Sequence, residues 1–247
     1  MKEMDTLSKS LNIFKSIFIL LLLEMFFSCG ERIFDNPFDP RASKREFTVI
    51  SVLNISLTLP RDLTWDGSTL WIIDEAVDTI YSINKYSGSI IRSLKSPLPQ
   101  ASGLIYDGSG LWVSSYQSAQ LVKINIISGE ILRRVNIQKG KITSLAYDGE
   151  KLWGYDKISN KIYRIDQESG QILKSINNPG FSFGGMEIFN DSIWITDPNN
   201  FSIYQLSMDG DLISTYSAPG QSPWGITFDG FYVWNVDSNR KIYQLSY

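Results

Sequence analysis

Tryptophan returns at Trp71, Trp112, Trp153, Trp194 and Trp234, at spacings of 41, 41, 41 and 40 residues. A repeat of that period restricts the architecture before any single element is assigned. Five or six residues ahead of each tryptophan stands a second aromatic: Trp65, Tyr106, Tyr147, Phe189 and Phe228. Turn pairs follow it directly, at Asp66-Gly67, Asp107-Gly108, Asp148-Gly149, Asn190-Asp191 and Asp229-Gly230. Downstream, Ile80-Tyr81, Leu121-Val122, Ile162-Tyr163, Ile203-Tyr204 and Ile242-Tyr243 keep step, and Gly88, Gly129, Gly170 and Gly210 mark a second turn.

Each unit divides into four short apolar-alternating runs, such as Leu104–Tyr106, Leu111–Val113, Leu121–Ile124 and Ile131–Val135. Asp-Gly and Ser-Gly between consecutive runs are hairpin signals. Four antiparallel strands per unit of about forty residues describe a β-propeller blade; a β-solenoid, the competing repeat architecture, has shorter units. The fourth runs pair Ile91 with Leu94, Leu132 with Val135, Leu173 with Ile176 and Ile213 with Tyr216, and one period before Ile91 and Leu94 lie Ile50 and Leu53. The last unit ends after its third run, so residues 48–54 are expected to supply its missing strand. The sequence therefore predicts an all-β, five-bladed propeller closed by an N-terminal strand, with a six-bladed-like or incomplete ring as the alternative. Gly103, Ser144, Gly185 and Gly225 open the innermost strands, where crowding at the axis demands small side chains; Asp62 departs from that rule. The repeated aromatics read as packing between blades.

The chain has no histidine and a single cysteine among 247 residues. That excludes a Ser-His-Asp triad, a Cys-His pair, a histidine-liganded zinc and an internal disulfide. A formal charge of −3 argues against a nucleic-acid partner. No cofactor or metal is assigned.

Residues 1–28 read as a secretory signal: Lys2, Lys9 and Lys15 precede an apolar run from Ile17 to Phe27 that contains Glu24. At 11 residues the run is short of the roughly 20 that span a bilayer. Its end, Ser28-Cys29-Gly30, resembles the bacterial lipoprotein signal, in which the cysteine is acylated and becomes the new N-terminus, although Phe26 and Phe27 depart from the usual residues upstream. Residues 29–46, with Asp35-Asn36-Pro37-Phe38-Asp39-Pro40, read as a flexible tether, and residues 47–247 as the propeller domain. Asn-Pro-Phe-Asp-Pro is similar to segments just after the lipid cysteine of other bacterial lipoproteins. Gly30 in place of Asp resembles the pattern sorted to the outer membrane. The expected location is thus the bacterial cell envelope, with the membrane reached through a lipid anchor at Cys29.

The repeats themselves, best seen at 106–132 and 147–173, resemble the bacterial propellers that include the YVTN, NHL and SMP-30-like sequences, streptogramin lyases and glutamine cyclotransferases. The shared pattern specifies blade packing rather than chemistry. Streptogramin lyases rely on histidine, which this chain lacks. Glutamine cyclotransferases carry Phe-Thr-Gln-Gly-Leu and Glu-Ser-Thr-Gly where this chain has Pro60-Arg61-Asp62-Leu63 and Ile73-Asp74-Glu75-Ala76. Their catalytic pattern does not carry over, and Glu75 alone keeps such an activity open.

In a propeller, the loops from fourth to first strand and from second to third strand emerge around one mouth of the channel, and function resides on such loops. The candidate binding face is Arg61, Asp74, Glu75, Tyr116, Lys141, Asp156, Asp197, Trp224 and Asp237. Asp74, Asp156, Asp197 and Asp237 each stand three residues after a repeated tryptophan, where they form either an anionic rim or a set of Asx-type loop caps. The reading favoured is a non-catalytic binding or scaffold propeller whose partner is a protein, peptide or glycan. The alternative is a cyclotransferase-like or lactonase-like enzyme using carboxylates of the mouth and Lys141.

Overall fold

The structure, a computed structural model, describes residues 44–247. Twenty strands form five separate four-stranded antiparallel sheets, the five blades of a β-propeller. Blade 1 comprises Pro60–Trp65, Leu70–Asp74, Thr79–Ile83 and Ile90–Lys95; blade 2, Ala101–Tyr106, Leu111–Ser115, Gln120–Ile124 and Ile131–Asn136. Blade 3 runs through Ile142–Tyr147, Leu152–Asp156, Lys161–Ile165 and Ile172–Asn177, and blade 4 through Met186–Phe189, Ser192–Asp197, Ser202–Ser207 and Leu212–Ser217. Blade 5 joins Pro223–Phe228, Val233–Asp237 and Lys241–Ser246 to the N-terminal strand Thr48–Asn54.

That N-terminal strand occupies the fourth-strand position in register as well as in place. Leu53 lies opposite Ile242, as Leu94 lies opposite Ile80, Val135 opposite Leu121 and Ile176 opposite Ile162. Every outer strand carries the same bulge, which skips Ile50, Ile91, Leu132, Leu173 and Ile213 in turn. A shared irregularity at a period of 41 or 40 residues shows that Thr48–Asn54 is the displaced end of the repeat. Pairing the first strand with the last joins the chain into a ring and protects edges that would otherwise be open.

The repeated tryptophans are core residues, none more than 3% exposed. Each is tied to the turn before it. The aspartate of the Asp-Gly pair caps its own turn with Oδ1, taking amides such as those of Ser68 and Thr69, and with Oδ2 accepts the indole N–H of the tryptophan five residues on. Asp66–Trp71, Asp107–Trp112, Asp148–Trp153 and Asp229–Trp234 make this bond at 2.7–2.9 Å. Burial pushes the Asp107 carboxyl up, but the bonds from Lys123, Trp112 and the Ser109 amide outweigh it and hold the group below the usual carboxylate range. Blade 4 is the exception. Asn190 and Asp191 both adopt positive φ, the left-handed conformation that Asn and Asp tolerate best. The indole nitrogen of Trp194 has no partner there, while Phe189 stacks on its ring at 4.7 Å.

One sequence expectation changes at its boundary. Lys44, Arg45 and Glu46, assigned to the tether, lie along the outer strand of blade 4. The Arg45 amide donates to Thr215 O at 2.8 Å and its carbonyl accepts from Ser217 N at 2.9 Å. The Lys44 ammonium reaches Asn200 O and Ser202 Oγ, and Phe47 stacks on Tyr216 at 4.5 Å. Backbone pairing to an outer strand needs no apolar periodicity, so nothing in the residue pattern announces it. The signal, Cys29 and residues 29–43 lie outside the described residues.

Closure makes the contribution of the N-terminal strand testable by truncation. Removing residues 1–42 should leave the melting temperature of the propeller unchanged. Removing residues 1–56 strips blade 5 of its outer strand along with buried Leu53 and Ile55, and should give aggregation or a melting temperature lower by about 10 °C or more, as follows from losing several kcal/mol in a domain of this size. Equal melting temperatures would refute closure.

Candidate functional site

The innermost strands converge so tightly that their small residues are obligatory. A Cβ on Gly225 would fall 2.5 Å from Leu63 N and 2.7 Å from the Asp62 Cα, and one on Gly185 would fall 2.7 Å from the Gly225 Cα. In blades 1, 2, 3 and 5 the pairing of first and second strands slips at this level. The residue just before each axial position is thereby displaced toward the mouth: Arg61 before Asp62, Ser102 before Gly103, Thr143 before Ser144, Trp224 before Gly225. In blade 4, Gly184 holds the equivalent place, bonded to Thr196.

These five residues line a cavity of about 660 Å³ on the loop face, and the second-to-third-strand loops complete it. Of the predicted binding residues, Arg61, Glu75, Tyr116, Lys141 and Trp224 come together here. The Arg61 guanidinium lies 3.9 Å from the centre of the Trp224 ring and is ion-paired to Glu75, so a cation–π contact and a salt bridge fix one wall. Tyr116 donates its hydroxyl to the Gln100 side chain and remains 40% exposed. Across the mouth, Tyr155 stacks on Phe183 at 3.8 Å with 7° between ring planes.

The four aspartates of the predicted rim are not in this lining. Asp74, Asp156, Asp197 and Asp237 are at most 1% exposed. Asp74 accepts the amides of Thr58, Leu59 and Ala76; Asp156 those of Lys141, Ile158 and Ser159; Asp197 those of Ser182, Asn199 and Asn200; Asp237 those of Asn239 and Lys241. For Asp74, Asp156 and Asp197, one carboxylate thus ties the loop entering its blade to the loop inside it. Of the two readings, the anionic rim gives way to loop caps: Asp74, Asp156 and Asp197 clamp two loops each and Asp237 caps its own, their oxygens taken by backbone and neighbouring side-chain donors. Ser115, the exception in the series, does the same work with its hydroxyl, donating to Pro99 O and accepting from Gln117 N.

Lys157, Ile158, Ser182, Gly184 and Asn199 also line the cavity and were not singled out in the sequence. Their signal was positional. Lys157, Ile158 and Asn199 lie one or two residues after the clamping aspartates, and Ser182 and Gly184 sit in the phenylalanine-bearing loop before blade 4.

No protein-family model matches the sequence, and no curated protein matches it. Solved structures share the fold. The chain is similar to glutaminyl cyclase from Myxococcus xanthus, with a TM-score of 0.74 and 12% identity over 82% of this chain and 97% of that one. It is also similar to virginiamycin B lyase from Staphylococcus aureus, with a TM-score of 0.54 and 16% identity over 81% of this chain and 99% of that one. At such identities the likeness establishes the propeller and leaves the chemistry to the residues.

Two buried carboxyls near the axis lie outside the cavity lining. Asp62 accepts the amides of Leu63 at 3.0 Å and of Leu104, in the neighbouring blade, at 3.1 Å. Burial, with the nearby Glu187 adding to it, raises the Asp62 pKa well above the carboxylate range despite those bonds. Glu187 accepts the Thr227 hydroxyl at 2.7 Å and the Ile188 amide at 2.9 Å, and burial pushes its pKa up to about 7. A carboxyl whose folded pKa lies above its unfolded value binds its proton more tightly in the native state. Its contribution is therefore present at acid pH and is lost as pH climbs from about 4.5 to about 7. Glu187→Gln should match wild type in unfolding free energy at pH 4 and exceed it by about 3 kcal/mol at pH 8, the equivalent of that shift. Denaturant titrations at the two pH values check this, and a difference independent of pH would show that Glu187 is not held neutral by burial.

Proposed function

We propose that this chain is a lipid-anchored, non-catalytic β-propeller of the bacterial cell envelope that binds its ligand in the loop-face cavity. The observation that carries the binding reading is the state of Glu75. It is the single acidic residue lining the cavity among the described residues, and it is committed to Arg61. A carboxylate that acts as general base must be free within reach of substrate, and Glu75 is instead held by a guanidinium. Besides Ile158 and Gly184, the remaining lining consists of aromatic, hydroxyl, amide and cationic groups, a mixture suited to holding a ligand in place. Envelope anchoring rests on the apolar segment ending in Ser28-Cys29; one acyl chain gives only marginal attachment, so two or more are expected at that cysteine.

The glutaminyl cyclase likeness makes cyclisation of a glutaminyl peptide the enzymatic alternative to exclude. Wild-type protein should show no turnover in that assay, and turnover abolished by Glu75→Gln would overturn the binding reading. In thermal-shift screening against saccharides and peptides, a stabilising compound should lose its effect in the Tyr116→Ala/Trp224→Ala variant. Stabilisation that persists in this variant would place the site elsewhere.

A further inference from the structure

The cavity is unevenly charged. Arg61 and Glu75 neutralise each other on one wall, whereas Lys141 and Lys157, on the wall built by blade 3, take part in no salt bridge and donate no side-chain hydrogen bond among the described residues. Asp156, which precedes Lys157 directly, is 1% exposed and turned onto backbone amides, including that of Lys141. Two unpaired ammonium groups thus face a recess whose own carboxylate is spoken for. Low-dielectric walls focus such a field on whatever enters.

The uncharged lining narrows the choice of anion. Ser102, Thr143, Ser182 and Asn199 present hydroxyl and amide groups, and Tyr116 offers an exposed ring. No strand edge opens into the recess: the inner edges are pressed together at the axis, and the outer edges lie on the circumference. An extended peptide would find no backbone ladder to join. A polyhydroxylated ring finds partners for its hydroxyls, an aromatic face for its apolar side and cations for an acid group, and the volume admits more than one such ring.

We propose that the loop-face cavity binds a carboxylate-bearing saccharide, with Lys141 and Lys157 holding the carboxylate and Tyr116 the ring. This rests on the binding reading above and specifies its ligand. The test is isothermal titration calorimetry on the full chain with a galacturonic acid trimer, a neutral galactose trimer and trialanine. The acidic trimer should bind, and the other two should bind at least tenfold more weakly. Lys141→Ala/Lys157→Ala, at an unchanged melting temperature, should weaken the acidic trimer tenfold or more, while Lys141→Arg/Lys157→Arg should retain it within about threefold, since both side chains carry the charge. Equal binding of the neutral trimer, or an alanine pair that binds as wild type does, would overturn the charge assignment and leave the cavity reading standing. Tighter binding of trialanine, or no binding of the acidic trimer, would overturn the saccharide assignment. Acidic-trimer binding that survives Tyr116→Ala/Trp224→Ala would sink both readings by moving the site off the cavity.

Discussion

Backbone crowding at the axis governs the rest of this molecule. Five inner strands meet with no space for a Cβ at Gly185 or Gly225, so the ring is as tight as main-chain contact permits. A larger residue survives at one axial position only because its carboxylate replaces packing with hydrogen bonds: Asp62 takes amides from its own strand and from the next blade. The same crowding makes the strands slip where they reach the mouth, and the slip carries Arg61, Ser102, Thr143 and Trp224 out to line the cavity. Floor and walls of the candidate site are therefore consequences of closing five blades into one ring.

The two faces divide the labour. On one, an aspartate caps a turn and holds a tryptophan indole in four of five blades, an arrangement repeated with almost no variation. On the other, a buried aspartate clamps the two loops together in three blades and caps its own loop in a fourth, but the residues that follow it differ from blade to blade. Fixed geometry with variable side chains is how a repeat scaffold acquires a specific site. Blade 4 lacks the turn aspartate, leaves the Trp194 indole unpaired and is the one whose outer strand is covered by Arg45.

The architecture was legible because each repeated residue has one physical use. Tryptophans at a fixed period marked the blades, and Ile50 and Leu53 marked the displaced strand. The loop-capping role of Asp74, Asp156, Asp197 and Asp237 was one of two readings the spacing allowed, and burial decided it. What could not be read was anything that depends on which side chains meet at the mouth. The Arg61–Trp224 contact joins residues 163 positions apart in sequence, and the pairing of Arg61 with Glu75 was equally invisible. Glu187 stood among Thr64, Ile105, Ala146 and Thr227 at equivalent positions of the repeat, a departure visible on alignment of the units but without meaning until its burial was known.

The thermal unfolding of Gly225→Ala addresses the axial constraint most directly. Gly225 has no positive φ, so alanine there suffers no conformational strain, and its added methyl meets only the backbone of blade 1, at 2.5 Å from Leu63 N. If crowding at the axis sets the ring, the substitution should lower the melting temperature by about 4 °C or more, the shift expected when overpacking costs roughly 1–3 kcal/mol. A melting temperature equal to that of wild type would mean that the inner strands have room to spare, and the derivation of the cavity from axial contact would fall.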